Sequence, residues 1–202
     1  MSIESFAFFY CTGITGKLII PDSVKIINEN AFSHCNGFTE LVLGKGLTEI
    51  QNNVFSYCSS LKKFEIPDSI NSIGSYAFTY CTGMNGTLKI PDSITTIKTG
   101  AFSHCTGILD LKIGKKLSEI ESDVFSSCEN LKSLNFPDSV SSIGSYSFSH
   151  CSGIKGTLEI PDTVLFVDFG AFCYCSGIID LKIGKNLTKI NDSVFRSCTS
   201  LS

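Results

Sequence analysis

The amino-acid sequence predicts a stack of short coils, a mainly β and irregular solenoid forming a single repeat domain over residues 1–202. Three observations predict it. Cysteines recur at 11, 35, 58, 81, 105, 128, 151, 175 and 198, so that successive gaps are 24, 23, 23, 24, 23, 23, 24 and 23. Phenylalanine stands three residues before every one of these cysteines, from Phe8 and Phe32 to Phe195. After each cysteine but the last comes an apolar pair split by one residue, such as Leu18/Ile20, Leu41/Leu43 or Phe64/Ile66. Self-similarity at a fixed period of roughly 20–50 residues marks a solenoid or array and outranks any element-by-element reading. About eight coils fit the chain, grouped in 70-residue triplets (24 + 23 + 23), with incomplete repeats at both ends.

Each element of a coil follows from its residues. An apolar pair separated by one position has the strand period, with both side chains on one face and the residue between them pointing out. The strand is closed by Pro-Asp, as at Pro21-Asp22, or by Gly-Lys, as at Gly44-Lys45. Proline removes a ladder donor and stops the pairing there. An irregular return carries Val24/Ile27-type residues, and a turn containing Phe and Cys completes the coil. Short helical or 3-10 turns are expected in these connections. A coil of about 23 residues cannot bury its own apolar side chains, whereas stacked neighbours make one continuous core. The strands of successive coils then pair in parallel, about 4.8 Å apart, along a rod of roughly 40 Å.

Composition excludes several functional classes. With Lys+Arg 16 against Asp+Glu 19, the chain is slightly acidic and shows no basic cluster of the nucleic-acid-binding kind. No apolar run approaches the roughly 18 residues of a membrane span. No CxxC pair, Gly-rich phosphate loop or nucleophile elbow is present, so neither a zinc site nor a catalytic constellation is expected, and no cofactor. Aspartates 22, 68, 92, 138 and 162 follow proline and are assigned to turns, where such a carboxylate bonds its own backbone.

The pattern CxxLxxLxIPDSVxxIxxxAFxxC, in register from Ile3 to Leu201, resembles the BspA-like, or Treponema-type, leucine-rich repeats. The resemblance covers essentially the whole chain. It implies a leucine-rich-repeat solenoid that is right-handed and curved, with the short parallel strands on the concave side. It also implies an adhesin-like, protein-binding role at the cell surface or in secretion, with a host or extracellular protein, or a glycan, as partner. Departures from the pattern are Gly44, Gly114 and Gly184 in place of proline, and one extra residue in segments such as Gly13-Ile14-Thr15-Gly16.

The candidate residues fall into five groups. The outward strand positions Lys17, Glu40, Val42, Lys63, Glu65, Lys89, Asp110 and Lys112 mix charges on the expected concave face and are the proposed docking surface. The alternative is an ordinary solvated strand face. Leu165, Phe166 and Phe169 stand where the other first-type coils have Lys25-Ile26 or Thr95-Thr96, so an exposed apolar patch for a partner or for self-association is expected there, against local repacking. Cys11, Cys35, Cys58, Cys81, Cys105, Cys128, Cys151, Cys175 and Cys198 form a single file one strand spacing apart and read as a ladder of buried thiols, in preference to disulfides or metal ligands. The tenth cysteine, Cys173, shares its place in the coil with Ser33, Thr79, Ser103 and Ser149, and is expected to be an exposed, reactive thiol. Histidines 34, 104 and 150 share the place just before the ladder cysteine with Tyr10, Tyr57, Tyr80, Ser127, Tyr174 and Ser197 and read as part of a stack of rings on the outside of the turn, the functional alternative being an aromatic ridge for a partner.

The chain opens inside a repeat, has no recognisable signal peptide, and stops four residues past Cys198. Taken as it stands, this predicts exposed core at both cross-sections and end-to-end association. Sequons at Asn85, Asn186 and Asn191 would accept glycans in a secreted eukaryotic protein.

Overall fold

The structure, a computed structural model, describes residues 1–202 as a parallel-strand solenoid of about eight turns with no helix. Three ladders of inter-coil hydrogen bonds hold successive coils together. The first is the expected strand row, built from Gly16–Ile20, Phe38–Leu43, Lys63–Phe64, Gly86–Lys89, Ile108–Lys112, Gly156–Ile160 and Ile178–Ile183. All pairings are parallel and in the predicted register, with Leu18 opposite Leu41 and Leu41 opposite Phe64. This sheet is interrupted, however, into pieces of three, two and two strands. The first interruption falls where a third-type coil meets the longer first-type coil, and the second spans a whole third-type coil, whose residues 131–136 form no strand. The extra residue of the first-type coil is taken up at Gly16, Gly86 and Gly156, which adopt φ of +73°, +84° and +82°. There glycine's freedom is required, and the pairing register shifts beside each of them.

The second ladder lies in the return, which is more regular than its sequence suggests. Two-residue parallel strands such as Glu49–Ile50, Ser72–Ile73 and Thr96–Ile97 pair in sequence, with the isoleucines inward. The third ladder runs through the Phe/Cys turn. Here Phe8 N–H donates to Ala31 O at 2.8 Å, Phe32 to Val54 O at 3.0 Å and Phe55 to Ala77 O at 2.9 Å, each reaching the next coil.

That third ladder explains why the expected helical turns do not form. Residues five and one before the ladder cysteine adopt left-handed φ, as at Asn30 (59°) and His34 (62°), or Tyr76 (55°) and Tyr80 (58°). With left-handed residues at both ends of the turn, every second N–H, as those of Asn30, Phe32 and His34, bonds the neighbouring coil, and no i→i−4 series forms. A left-handed residue costs roughly 1–2 kcal/mol unless it is glycine, and the inter-coil bonds offset that strain.

Between the ladders runs one core from Ile20 to Cys198. Its axis is a file of phenylalanine rings, from Phe8 through Phe102 to Phe195, stacked with centroids 4.9 Å to 5.7 Å apart. The expected thiol ladder runs beside it.

Candidate functional site

The ladder cysteines are free, and all but Cys11 are buried. Each thiol from Cys35 onward donates to the carbonyl of the phenylalanine one coil earlier: Cys35 to Phe8 O at 2.9 Å, Cys81 to Phe55 O at 3.1 Å, Cys105 to Phe78 O at 3.1 Å and Cys198 to Phe172 O at 3.2 Å. The composition of the row marks these cysteines only as small and apolar, not as donors. Burial pushes the thiols of Cys81, Cys105 and Cys151 far up, and that of Cys128 up to about 12. None of them is a nucleophile at neutral pH.

Cys173 differs from expectation. It is 3% exposed, and the row it shares with Ser33, Ser103 and Ser149 is buried from Ser33 to Cys173, with only the terminal Phe9 and Arg196 exposed. The hydroxyls of that row bond from one coil to the next, as Ser33 Oγ does to Ser56 Oγ at 2.7 Å and Thr79 Oγ1 to Ser103 O at 3.2 Å. Polar composition suggested solvent, whereas inter-coil bonding makes the row internal. Burial raises the Cys173 thiol as well, against the opposing pull of Arg196.

The prolyl aspartates also act differently from expectation in the first-type coils. Asp22, Asp92 and Asp162 do not cap their own turn but accept the N–H of Lys45, Lys115 and Lys185 in the next coil, at 2.7, 2.7 and 2.9 Å. The bond to the Lys185 N–H is the main reason the Asp162 carboxyl lies below its usual range. The same approach explains the departing glycines. A Cβ on Gly44 would stand 2.5 Å from the carbonyl carbon of Pro21, and one on Gly114 2.5 Å from Pro91 O.

The outward face of the long strands carries the predicted docking residues in separate pieces. Lys17, Glu40 and Lys63 lie side by side in register, with Lys17 Nζ 2.7 Å from Glu40 Oε1. That bond holds the Glu40 carboxyl below its usual range. Ile19 and Val42 are opposite one another and exposed beside them. Lys89 faces Lys112 and Thr87 faces Asp110 in the second piece. Glu65 is exposed just beyond its strand. The third piece pairs Glu159 with Lys182 by a short ion pair and exposes Ile179 and Ile183. Where residues 131–136 leave the ladder, an open cleft of about 370 Å³ forms between Asn135, Phe136, Glu159, Asp162 and Lys182. No three His, Cys, Asp or Glu side chains converge closely enough for a metal ion.

Leu165, Phe166 and Phe169 are exposed, Phe166 to 50%. Phe166 lies between Ser142 and Lys189 in the return ladder, and Phe169 stands edge-on to Tyr146 at 5.3 Å. Tyr146 thus extends the patch by a residue that its place in the coil did not single out. On the turn face, Tyr10, His34, Tyr57, Tyr80 and His104 stack in one file with centroids 4.2–4.8 Å apart. His150 and Tyr174 stack separately at 4.4 Å, beyond Ser127.

Comparison with known proteins agrees with this architecture. The profile of the BspA type leucine rich repeat region, in six copies, matches residues 1–132 and 84–202. A leucine-rich repeat protein from Bacteroides ovatus, solved by crystallography, is similar over 100% of this chain and 57% of its own, with 26% identity and a TM-score of 0.75. This chain therefore spans little more than half the length of that protein. The Treponema pallidum leucine-rich repeat protein is 27% identical over 76% of this chain and 71% of its own, with a TM-score of 0.70. A leucine-rich repeat protein from Eubacterium ventriosum, 17% identical over 90% of this chain and 58% of its own, shares the fold with a TM-score of 0.64. No curated protein is significantly similar.

Proposed function

This chain belongs to the BspA-type leucine-rich repeat family, a family of repeat proteins rather than of enzymes, and from that premise we propose that it is a non-enzymatic binding module whose long-strand face docks a protein partner. The observation that carries the reading is the surface formed by Lys17, Glu40 and Lys63 with Ile19, which is 60% exposed, and Val42. Solenoids use such extended strand surfaces to bind partners, because every coil adds a side chain at a fixed spacing. Apolar side chains ringed by paired charges match the composition of a protein interface better than that of a merely soluble strand. The setting is the cell surface or secretion, with an extracellular or host protein, or a glycan, as the partner. The test is surface plasmon resonance against purified extracellular matrix proteins, comparing the wild type with a Lys63→Glu, Lys89→Glu double variant. Saturable binding that the variant weakens by about tenfold, roughly 1.4 kcal/mol, is expected; equal affinity for both proteins sinks the reading.

A second reading, an architectural segment that self-associates, is favoured by the patch of Leu165, Phe166 and Phe169. It predicts concentration-dependent light scattering that Phe166→Ser abolishes. An unchanged oligomeric state in that variant removes the patch from consideration.

A further inference from the structure

The ring file on the turn face is broken at one internal coil, and that coil is unusual in two other ways. Ser127 occupies the place held by His104 on one side and His150 on the other. Rings in this file stand 4.2–4.8 Å apart, one per coil. His104 and His150, two coils apart, are therefore separated by about 9–10 Å. Aromatic faces contact a planar group at about 3.5 Å on each side, so the gap is one flat group thick. Ser127 itself is only 8% exposed, and its hydroxyl has no partner within the chain, whereas that of neighbouring Ser126 bonds Ser149 Oγ at 2.9 Å.

The same coil carries Asp123 and Glu129, four residues before and two residues after Ser127. Each is the only charged residue among the nine at its place in the coil. Neither belongs to an ion pair; of the three that form in the chain, two lie on the strand face and the third joins the turns that close two strands. Asp123 and Glu129 both lie in the turn that holds Ser127, where the N–H of Asp123 bonds Ser145 O at 2.9 Å and that of Ser127 bonds Ser149 O at 2.7 Å, and both carboxylates act to raise the proton affinity of His104. Burial is the chief influence on His104 and disfavours its charged form. Burial also raises the Asp123 carboxyl, and an arriving cation would relieve that penalty.

We infer that the gap over Ser127, between the rings of His104 and His150 and flanked by Asp123 and Glu129, is a binding slot for the arginine side chain of a partner polypeptide. A guanidinium is flat, stacks on aromatic faces, and presents donors in its plane to carboxylates. Lysine supplies the charge without the plane, and an aromatic ring supplies the plane without the charge. The slot lies on the turn face, so it does not depend on docking at the long strands.

The test is an NMR titration of the whole chain, following the imidazole resonances of His104 and His150, with the peptide Gly-Gly-Arg-Gly-Gly and its lysine and citrulline counterparts. The arginine peptide is expected to shift both histidines saturably, with the other two binding about fivefold more weakly or worse. Ser127→Tyr, which restores the ring found at Tyr57 and Tyr80, is expected to abolish the response. Ser127→His serves the same purpose if the tyrosine variant does not fold. Asp123→Asn with Glu129→Gln is expected to reduce arginine to the level of citrulline. Equal binding of lysine or citrulline by the wild type, or an undiminished response in a folded Ser127 variant, overturns the inference.

Discussion

At the scale of single residues, the recurring cysteine shows how one small side chain can meet two demands. It packs in the core beside the phenylalanine file, and its S–H satisfies a carbonyl of the previous coil, as Cys105 does for Phe78 at 3.1 Å. The thiols of Cys81, Cys105, Cys128 and Cys151 are raised by burial above their ordinary value of 9.0. A group whose folded pKa lies above its unfolded one stabilises the fold fully below the unfolded value, and that stability is lost as pH rises towards the folded value. Stability from these thiols is therefore intact at pH 8 and declines above about pH 9, with Cys128 reaching its own limit at about 12. By pH 10 the loss is about 1.4 kcal/mol for each fully buried thiol. Urea unfolding at pH 8 and pH 10 should accordingly show a smaller pH-dependent fall in Cys105→Ala than in the wild type. The sequence marked this row as buried because no polar residue ever enters it. It could not mark Cys173, because a cysteine among serines looks like a surface residue until the bond from Ser33 to Ser56 shows that the serines face inward.

At the scale of the element, the 70-residue triplet is a consequence of how unlike coils fit together. A first-type coil ends its strand with Pro-Asp, and that aspartate caps the Gly-Lys turn of the second-type coil following it. Glycine is required in the second coil because the proline backbone lies against it. Gly114→Ala would place a Cβ 2.5 Å from Pro91 O, forcing the two coils apart and lengthening the bond from Lys115 N–H to Asp92. Steric overpacking of this kind costs about 1–3 kcal/mol. Thermal unfolding should show that loss, while alanine at Gly13, which has nothing within 4 Å of its would-be Cβ, should change stability little. The Gly-for-Pro substitution was plain in the sequence as a departure. Its cause was not, since the clash and the cap both involve the coil before.

For the whole molecule, stability is a sum of coils and of contacts between nearest neighbours. Phe102 is fully buried and stacked on both sides, at 5.3 Å from Phe78 and 5.7 Å from Phe125. Phe102→Ala should cost about 3–5 kcal/mol and uncouple the coils on either side, giving a broader urea transition. Phe8, stacked on one side only and partly exposed, should cost far less when replaced by alanine. Equal losses at both positions would contradict a nearest-neighbour stack. The sequence by itself determined the solenoid, its parallel register, the buried rows and the order of coil types, because a strict period forces equivalent residues into equivalent environments. Only the tertiary structure decided how the coils differ. It divided the long sheet in three, replaced the expected helical turns with left-handed ones, and buried Cys173. Each of these depends on what the neighbouring coil presents about 4.8 Å away, a relation between residues some 23 apart that no local pattern contains.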